Sequence, residues 1–229
     1  MNSVISKTIR GGKRFFGHYT FKDVECVGCS FVDANFGHNG SWKRNVRDSL
    51  SDALIQDAEI HGCMVGPAIV RRATFSNIRG DLLICWGTLF DRVKVLGRFD
   101  ALMINGFPGP GMTEEDKKKY IEKKEIFYGD VDWALDISRA DFSDFCIRSE
   151  AIPISKIKLD PLSQFVIDVS GGVVGVDGLP ISTYTKVLIS QMYKEQVSRS
   201  LLVAPKLDQN LFPVILRDAD ILKDVGYIK

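Results

Sequence analysis

Residues 50–95 read LSDALIQDAEIHGCMVGPAIVRRATFSNIRGDLLICWGTLFDRVKV, and an apolar side chain returns at every fifth place. The series runs Leu50, Ile55, Ile60, Val65, Val70 and Phe75, misses at Gly80, and resumes at Cys85, Phe90 and Val95. A second, smaller series stands two residues ahead of it: Ala53, Ala58, Cys63, Ala68, Ala73, Ile78, Leu83, Thr88 and Val93. Neither the helix period of 3.6 nor the strand period of 2 produces this spacing. A fixed internal period means stacked units, each burying its apolar side on its neighbours. That decides the architecture and leaves the substrate or partner unnamed.

The same beat precedes this block as Phe16, Phe21, Cys26, Phe31 and Phe36, and follows it as Ile137, Phe142 and Ile147. Residues 37–44 (GHNGSWKR) interrupt it, and the 50–95 series follows in a shifted phase. The units Ala140-Asp141-Phe142-Ser143-Asp144 and Asp33-Ala34-Asn35-Phe36 resemble those of pentapeptide-repeat proteins: a small residue, Asp or Asn, Leu or Phe, then two polar residues. Ala53-Leu54-Ile55, Ala58-Glu59-Ile60 and Ala73-Thr74-Phe75 keep only the apolar half of that unit. The resemblance covers about half the chain. It implies a mainly β fold: a right-handed quadrilateral parallel β-helix, four units to a coil of about twenty residues. Stacked coils then pair their backbones at roughly 4.8 Å. Residues 1–160 are expected to form this rod, interrupted by a loop at 37–44 and a helical insertion at about 107–130. Residues 161–229 are expected to form a small α/β C-terminal cap.

If a coil takes twenty residues, outward side chains twenty apart share a face. One face then reads Ser49, Ile69, Leu89, and its neighbour Met64, Ile84, with Trp86 close by. The other two read Leu54, Thr74, Lys94 and Glu59, Arg79. The first pair makes a contiguous apolar stripe of a kind not normally left in water. Its cover is either the protein's own C-terminal segment, a second copy, or another protein.

Lys+Arg number 30 and Asp+Glu 29, a net charge of +1, so no global field selects nucleic acid or an acidic surface. The basic N-terminus lacks the apolar stretch of a signal peptide, and no run approaches the ~18 apolar residues of a membrane span. A cytoplasmic protein with reduced thiols is expected. Four of the five cysteines (Cys26, Cys29, Cys63, Cys85) fall on the two apolar series, which reads as core packing. Cys26-Val-Gly-Cys29 with His18, His38 and His61 lacks the second ligand pair of a zinc site, so no metal or other cofactor is expected. GGVVGVDG at 171–178 fits no phosphate-cradle pattern. No nucleophile elbow, zinc-protease motif or Cys–His pairing is legible, and a non-enzymatic protein is expected.

Thr113 followed by Glu114, Glu115 and Asp116 predicts a helix start, with Tyr120, Ile121 and Phe127 as anchors to the rod. Its lysines, Lys118 among them, read either as a solvated face or as a contact arm. Residues 165–169 read as a strand, 182–202 as an amphipathic helix, and 218–225 as a short closing helix.

These readings point to a scaffold that docks a protein partner, one form being a bacterial immunity or antitoxin-like protein. The partner-binding candidates are Met64, Ile69, Ile84, Trp86 and Leu89 on the stripe, with Trp42 and Lys118 on the arms. The family resemblance implies an alternative, DNA topoisomerase modulation by mimicry of duplex DNA. That role needs an acidic rod, whereas Arg71, Arg72, Arg79, Arg92, Lys94 and Arg98 make this one at least as basic as acidic. A third reading is nucleic-acid binding along Arg72 and Arg92, whose charges repel unless Asp52, Asp91 or a phosphate intervenes.

Overall fold

The computed structural model describes residues 2–10, 20–37, 43, 48–109, 111–171 and 178–228. Phe16, His18, His38, Trp42 and most of the glycine run at 171–178 lie outside them. The protein is mainly β. A 13-stranded parallel sheet curls through three ladders of strands, and a separate four-stranded ladder stands beside it.

The period in the sequence is the register of these ladders. Leu54 pairs with Thr74 and Thr74 with Lys94; Met64 pairs with Ile84; Ser49 pairs with Ile69 and Ile69 with Leu89. Each partner is twenty residues away, in parallel. Across the loop at 37–44 the spacing grows: Phe21 pairs with Leu50 and Cys26 with Ile55. The shift of phase is therefore a longer step between paired strands, and the pairing continues across it. A larger excursion separates the strand Val93–Asn105 from the strand Leu135–Arg148, yet Ile104 still pairs with Ile147.

Corners explain the polar half of the repeat. Asp23, Asp52, Arg72 and Arg92 all have φ between 46° and 56°, and Asp57, Asn77 and Gly97 have φ between 51° and 62° at the next corner. This left-handed conformation costs most side chains roughly 1–2 kcal/mol, while Asp, Asn and Gly adopt it readily. The two arginines are held there by the stack: Arg72 N–H donates to Asp91 O at 2.8 Å, and Arg92 N–H to Trp133 O at 3.1 Å. The miss at Gly80 has a steric cause. Its φ is +119°, and a Cβ there would stand 2.1 Å from Ile60 O.

Inside, over 50–95 the small series is buried except for the half-buried Leu83, and the large series is buried or half-buried. Ala58, Ala68 and Ile104 are fully enclosed, and Phe99, Phe142 and Phe145 make a contiguous aromatic column with centroids 6.1 and 4.7 Å apart. Small residues in one series leave room for the large residues in the other, giving a narrow core at interior density.

The C-terminal unit is a two-stranded antiparallel sheet, Gln164–Asp168 and Arg199–Val203, with helices α2 (Thr183–Glu195) and α3 (Leu211–Asp224). Alternation along the strands serves two cores: Val166, Leu201 and Val203 face the repeat, while Phe165, Ile167 and Leu202 face the two helices. The unit docks on the last rung. Gln164 Nε2 donates to Ile137 O at 2.9 Å, and Leu207 N–H to Phe142 O at 3.0 Å. Lys206 bridges Asp141 and Asp160.

Two expectations need correcting here. The helix predicted over 182–202 ends at Gln196, whose φ of 56° terminates it, and the following apolar run is a strand because it is buried between two cores. The closing helix is longer than predicted. Pro213 falls in its first turn, where a missing N–H costs no helical bond.

Asp218 on α3 is fully buried and accepts from Ser182 N–H at 2.9 Å and Thr185 Oγ1 at 2.8 Å, tying α3 to the start of α2. Burial raises its pKa, but bonds from Ser182, Thr185 and Arg217 outweigh that and hold the carboxyl below its usual value. A depressed carboxyl stabilises the fold above its unfolded pKa of about 3.9, and that contribution is lost as pH falls through the folded value. Asp218→Asn should therefore lower the melting temperature at neutral pH. The gap to the parent should narrow in scans below about pH 4; a gap independent of pH would show that the charge is not what matters.

Candidate functional site

Two adjacent outer ladders carry the apolar stripe, and the structure treats them differently. On one, Thr20, Ser49, Ile69 and Leu89 stack in register. Ile69 is half-buried and Leu89 is only 2% exposed. Its cover is helix α1 (Glu114–Gly129), which belongs to the helical insertion rather than to the C-terminal segment. The strand Leu89–Asp91 ends its sheet among the described residues, so its upper edge needs partners. Two tyrosines of α1 supply them. Tyr120 Oη donates to Gly87 O at 2.5 Å, and Tyr128 Oη accepts from Phe90 N–H at 3.3 Å. Both rings are buried, and Phe127 beside them lies under the Arg71 guanidinium at 5.4 Å.

Helix α1 begins as its sequence predicts. The Thr113 side chain accepts from Asp116 N–H at 3.1 Å, with three acids in the first turn. Lys43, from the loop at 37–44, pairs with Asp116 at 2.7 Å, so the two insertions meet. Lys117 and Lys119 pair with Glu114 and Glu115 on the helix itself. Lys118 is exposed.

The second ladder stays open. Asn35, Met64, Ile84, Met103 and Cys146 stack rung upon rung. Met64 is 42% exposed, and Ile84 and Met103 are half-buried. Beyond Cys146 the band continues onto α2, where Val187 is exposed and shares a small hollow with Cys146 and Leu188. Two positions along, Trp86, Asn105 and Arg148 form a parallel row. Trp86 is half-buried and points toward an open groove of about 1480 Å³ between α1, the turn at 149–155 and the end of α2. Of the sequence candidates, the structure groups Met64 and Ile84 on one open band, places Trp86 and Lys118 on the groove, and buries Leu89. Trp42 lies outside the described residues.

Two groove residues are placed in ways the sequence reading did not foresee. Lys124, one of the lysines read as either a solvated face or a contact arm, is 7% exposed, and its Nζ donates to Glu150 O at 2.6 Å. Its spacing from Tyr120 and Tyr128, four residues each way, places all three on one helix face, a signal available in the sequence. Asn105 is also 7% exposed, and its Nδ2 has no hydrogen-bond partner. Nothing in the sequence pattern marks it.

At the arginine corner the charges are already paired. Arg72 holds Asp52 in a two-pronged pair at 2.5 and 2.7 Å, and Arg92 holds Asp91 at 2.8 Å. Burial pushes the Cys26 thiol up to about 11 and that of Cys85 up to about 12, which keeps both protonated and unreactive. His61 stands 3.7 Å from Asp81 on the surface. Among the described residues no group of three or more His, Cys, Asp or Glu is placed to hold a metal ion. No helix of the described residues is long and apolar enough to cross a membrane. No family model, curated protein or solved structure matches the chain.

Proposed function

We propose that this chain is a pentapeptide-repeat β-helix acting as a non-enzymatic docking scaffold, and that its open outer ladder binds a protein partner. The observation that carries this reading is the contrast between two neighbouring ladders of similar apolar character. One is strapped by α1; the other leaves Met64 and Ile84 facing solvent, continued by Met103 and by Val187 on α2. A stacked core supports a flat, stiff face, and methionine suits an interface that accommodates its partner. An immunity-type role, in which the rod occludes another protein's working surface, is the concrete form this takes. Nucleic-acid binding along the arginine corner is less favoured, because Asp52 and Asp91 already neutralise Arg72 and Arg92.

The test is affinity capture from native extract with the bait's mass followed by light scattering. A stoichiometric protein lost on Met64→Asp with Ile84→Asp, at unchanged melting temperature, is the expected result. A second copy on the ladder would appear as a dimer that the same variant splits. A monomer whose captured proteins are the same with and without the substitutions would overturn the reading.

A further inference from the structure

The groove beside Trp86 is a different surface from the open ladder. Two of its residues, Asn105 and Lys124, are each more than nine-tenths buried, yet neither uses its full donor capacity. Asn105 Nδ2 has no partner at all. Lys124 Nζ, with three protons to give, has one bond, to the main-chain oxygen of Glu150, and forms no salt bridge among the described residues. The two come from different parts of the chain, the end of a core strand and the middle of α1. One segment links them: Asn105 is the register neighbour of Arg148, and Lys124 Nζ bonds Glu150, two residues further on. A buried donor left unmade is costly and needs an explanation, as does a buried ammonium held only by a carbonyl.

We propose that the inner end of this groove is a binding site for a single carboxylate group, with Lys124 Nζ and Asn105 Nδ2 as its donors. The class of anion follows from the rest of the lining. Glu122, Glu125 and Glu150 border the same groove, and with Lys117, Lys118 and Lys194 they keep its net potential low. A phosphate dianion or a nucleic-acid backbone would meet those glutamates, whereas one carboxylate is matched by one buried ammonium. The amide nitrogen lies just beneath the floor, so the ligand oxygen enters a dry position where a charge-assisted bond is strong. Phe107 and Gly109, two and four residues after Asn105, border the groove. Trp86, next to Asn105 in the ladder, supplies an apolar wall and a reporter. The carboxylate belongs either to a free organic acid or to an acidic side chain of a peptide.

The purified full chain is titrated with butyrate, with butyramide and with inorganic phosphate, following Trp86 fluorescence against a Trp86→Phe control and the melting temperature. Butyrate should bind, and butyramide and phosphate should be weaker by tenfold or more, that being roughly the loss expected for one charge-assisted bond. Asn105→Leu and Lys124→Met should each weaken butyrate by about tenfold. Equal response to butyrate and butyramide, equal response to phosphate, or no saturation with butyrate overturns the site. If a variant does not fold, the acid–amide contrast on the parent chain decides by itself. A peptide Ac-Phe-Gly-Glu-Gly-Phe-NH2, set against its Gln counterpart, identifies the source: tighter than butyrate means a peptide, weaker means a free acid. The site uses neither Met64 nor Ile84, so failure of the docking test leaves it standing, and its own failure leaves the docking reading intact.

Discussion

Leu89→Asp should destabilise the protein by roughly 3–5 kcal/mol, whereas Met64→Asp should change stability by less than about 1 kcal/mol. Leu89 and Met64 stand at equivalent outward positions, each one residue before an inward apolar residue, Phe90 and Val65. Their fates differ because α1 lies over Leu89 and nothing in the described chain lies over Met64. A carboxylate at position 89 would be enclosed beneath Tyr120 and Tyr128 without a cation, so it must either take up a proton or displace the helix. Displacing α1 also frees the Gly87 carbonyl and the Phe90 N–H, each worth about 1 kcal/mol as a hydrogen bond. Urea unfolding of the two single variants checks this, with α1 docking read from protection of the Phe90 amide against hydrogen exchange. Similar losses for both variants would mean that α1 does not strap the ladder. The result bears on function too, because a partner-binding defect in Leu89→Asp would report unfolding, and only substitutions at Met64 and Ile84 address the surface.

The five-residue period carried most of what the ladders are. Ser49, Ile69, Leu89 and Met64, Ile84 fall where a twenty-residue turn places them, because each backbone pair in a parallel stack fixes the next. Even the exceptions were physical signals, Gly80 marking a backbone contact and the change of phase after residue 37 a wider spacing between paired strands. Lost to the sequence were contacts between segments that no period links. Nothing in the spacing says that α1 folds back over Leu89, since its anchors are two tyrosine hydroxyls reaching main-chain atoms more than thirty residues away. The helix–strand boundary at Gln196 was obscured because an apolar run satisfies either state until its neighbours are known. Asn105 was invisible for a related reason: its importance lies in a missing partner, which is a property of its surroundings.

Phe142→Ala should cost about 3–5 kcal/mol, while Phe21→Ala, on the same beat, should cost well under half of that. Phe142 is 1% exposed, at the centre of the aromatic column between Phe99 and Phe145. Phe21 is 42% exposed near the opposite end of the stack. Truncating Phe142 opens a cavity that its neighbours cannot readily close, because ladder hydrogen bonds between the strands Val93–Asn105 and Leu135–Arg148 fix their backbones at strand spacing. The damage should also cross a boundary. Phe142 O accepts from Leu207 N–H, and Asp141 and Asp144 hold Lys206 and Tyr184, so the rung that carries the cavity is the rung on which the C-terminal unit is seated. In a stack where each strand pairs only with its neighbours, a weakened end rung loosens what rests on it before it affects distant strands. Hydrogen exchange in Phe142→Ala should therefore accelerate first in the strand Arg199–Val203 and last in the strand Ala68–Arg71. Uniform acceleration along the chain would show that the repeat and the C-terminal unit unfold as one, and would place the stability of the groove between them under the control of the whole stack of strands.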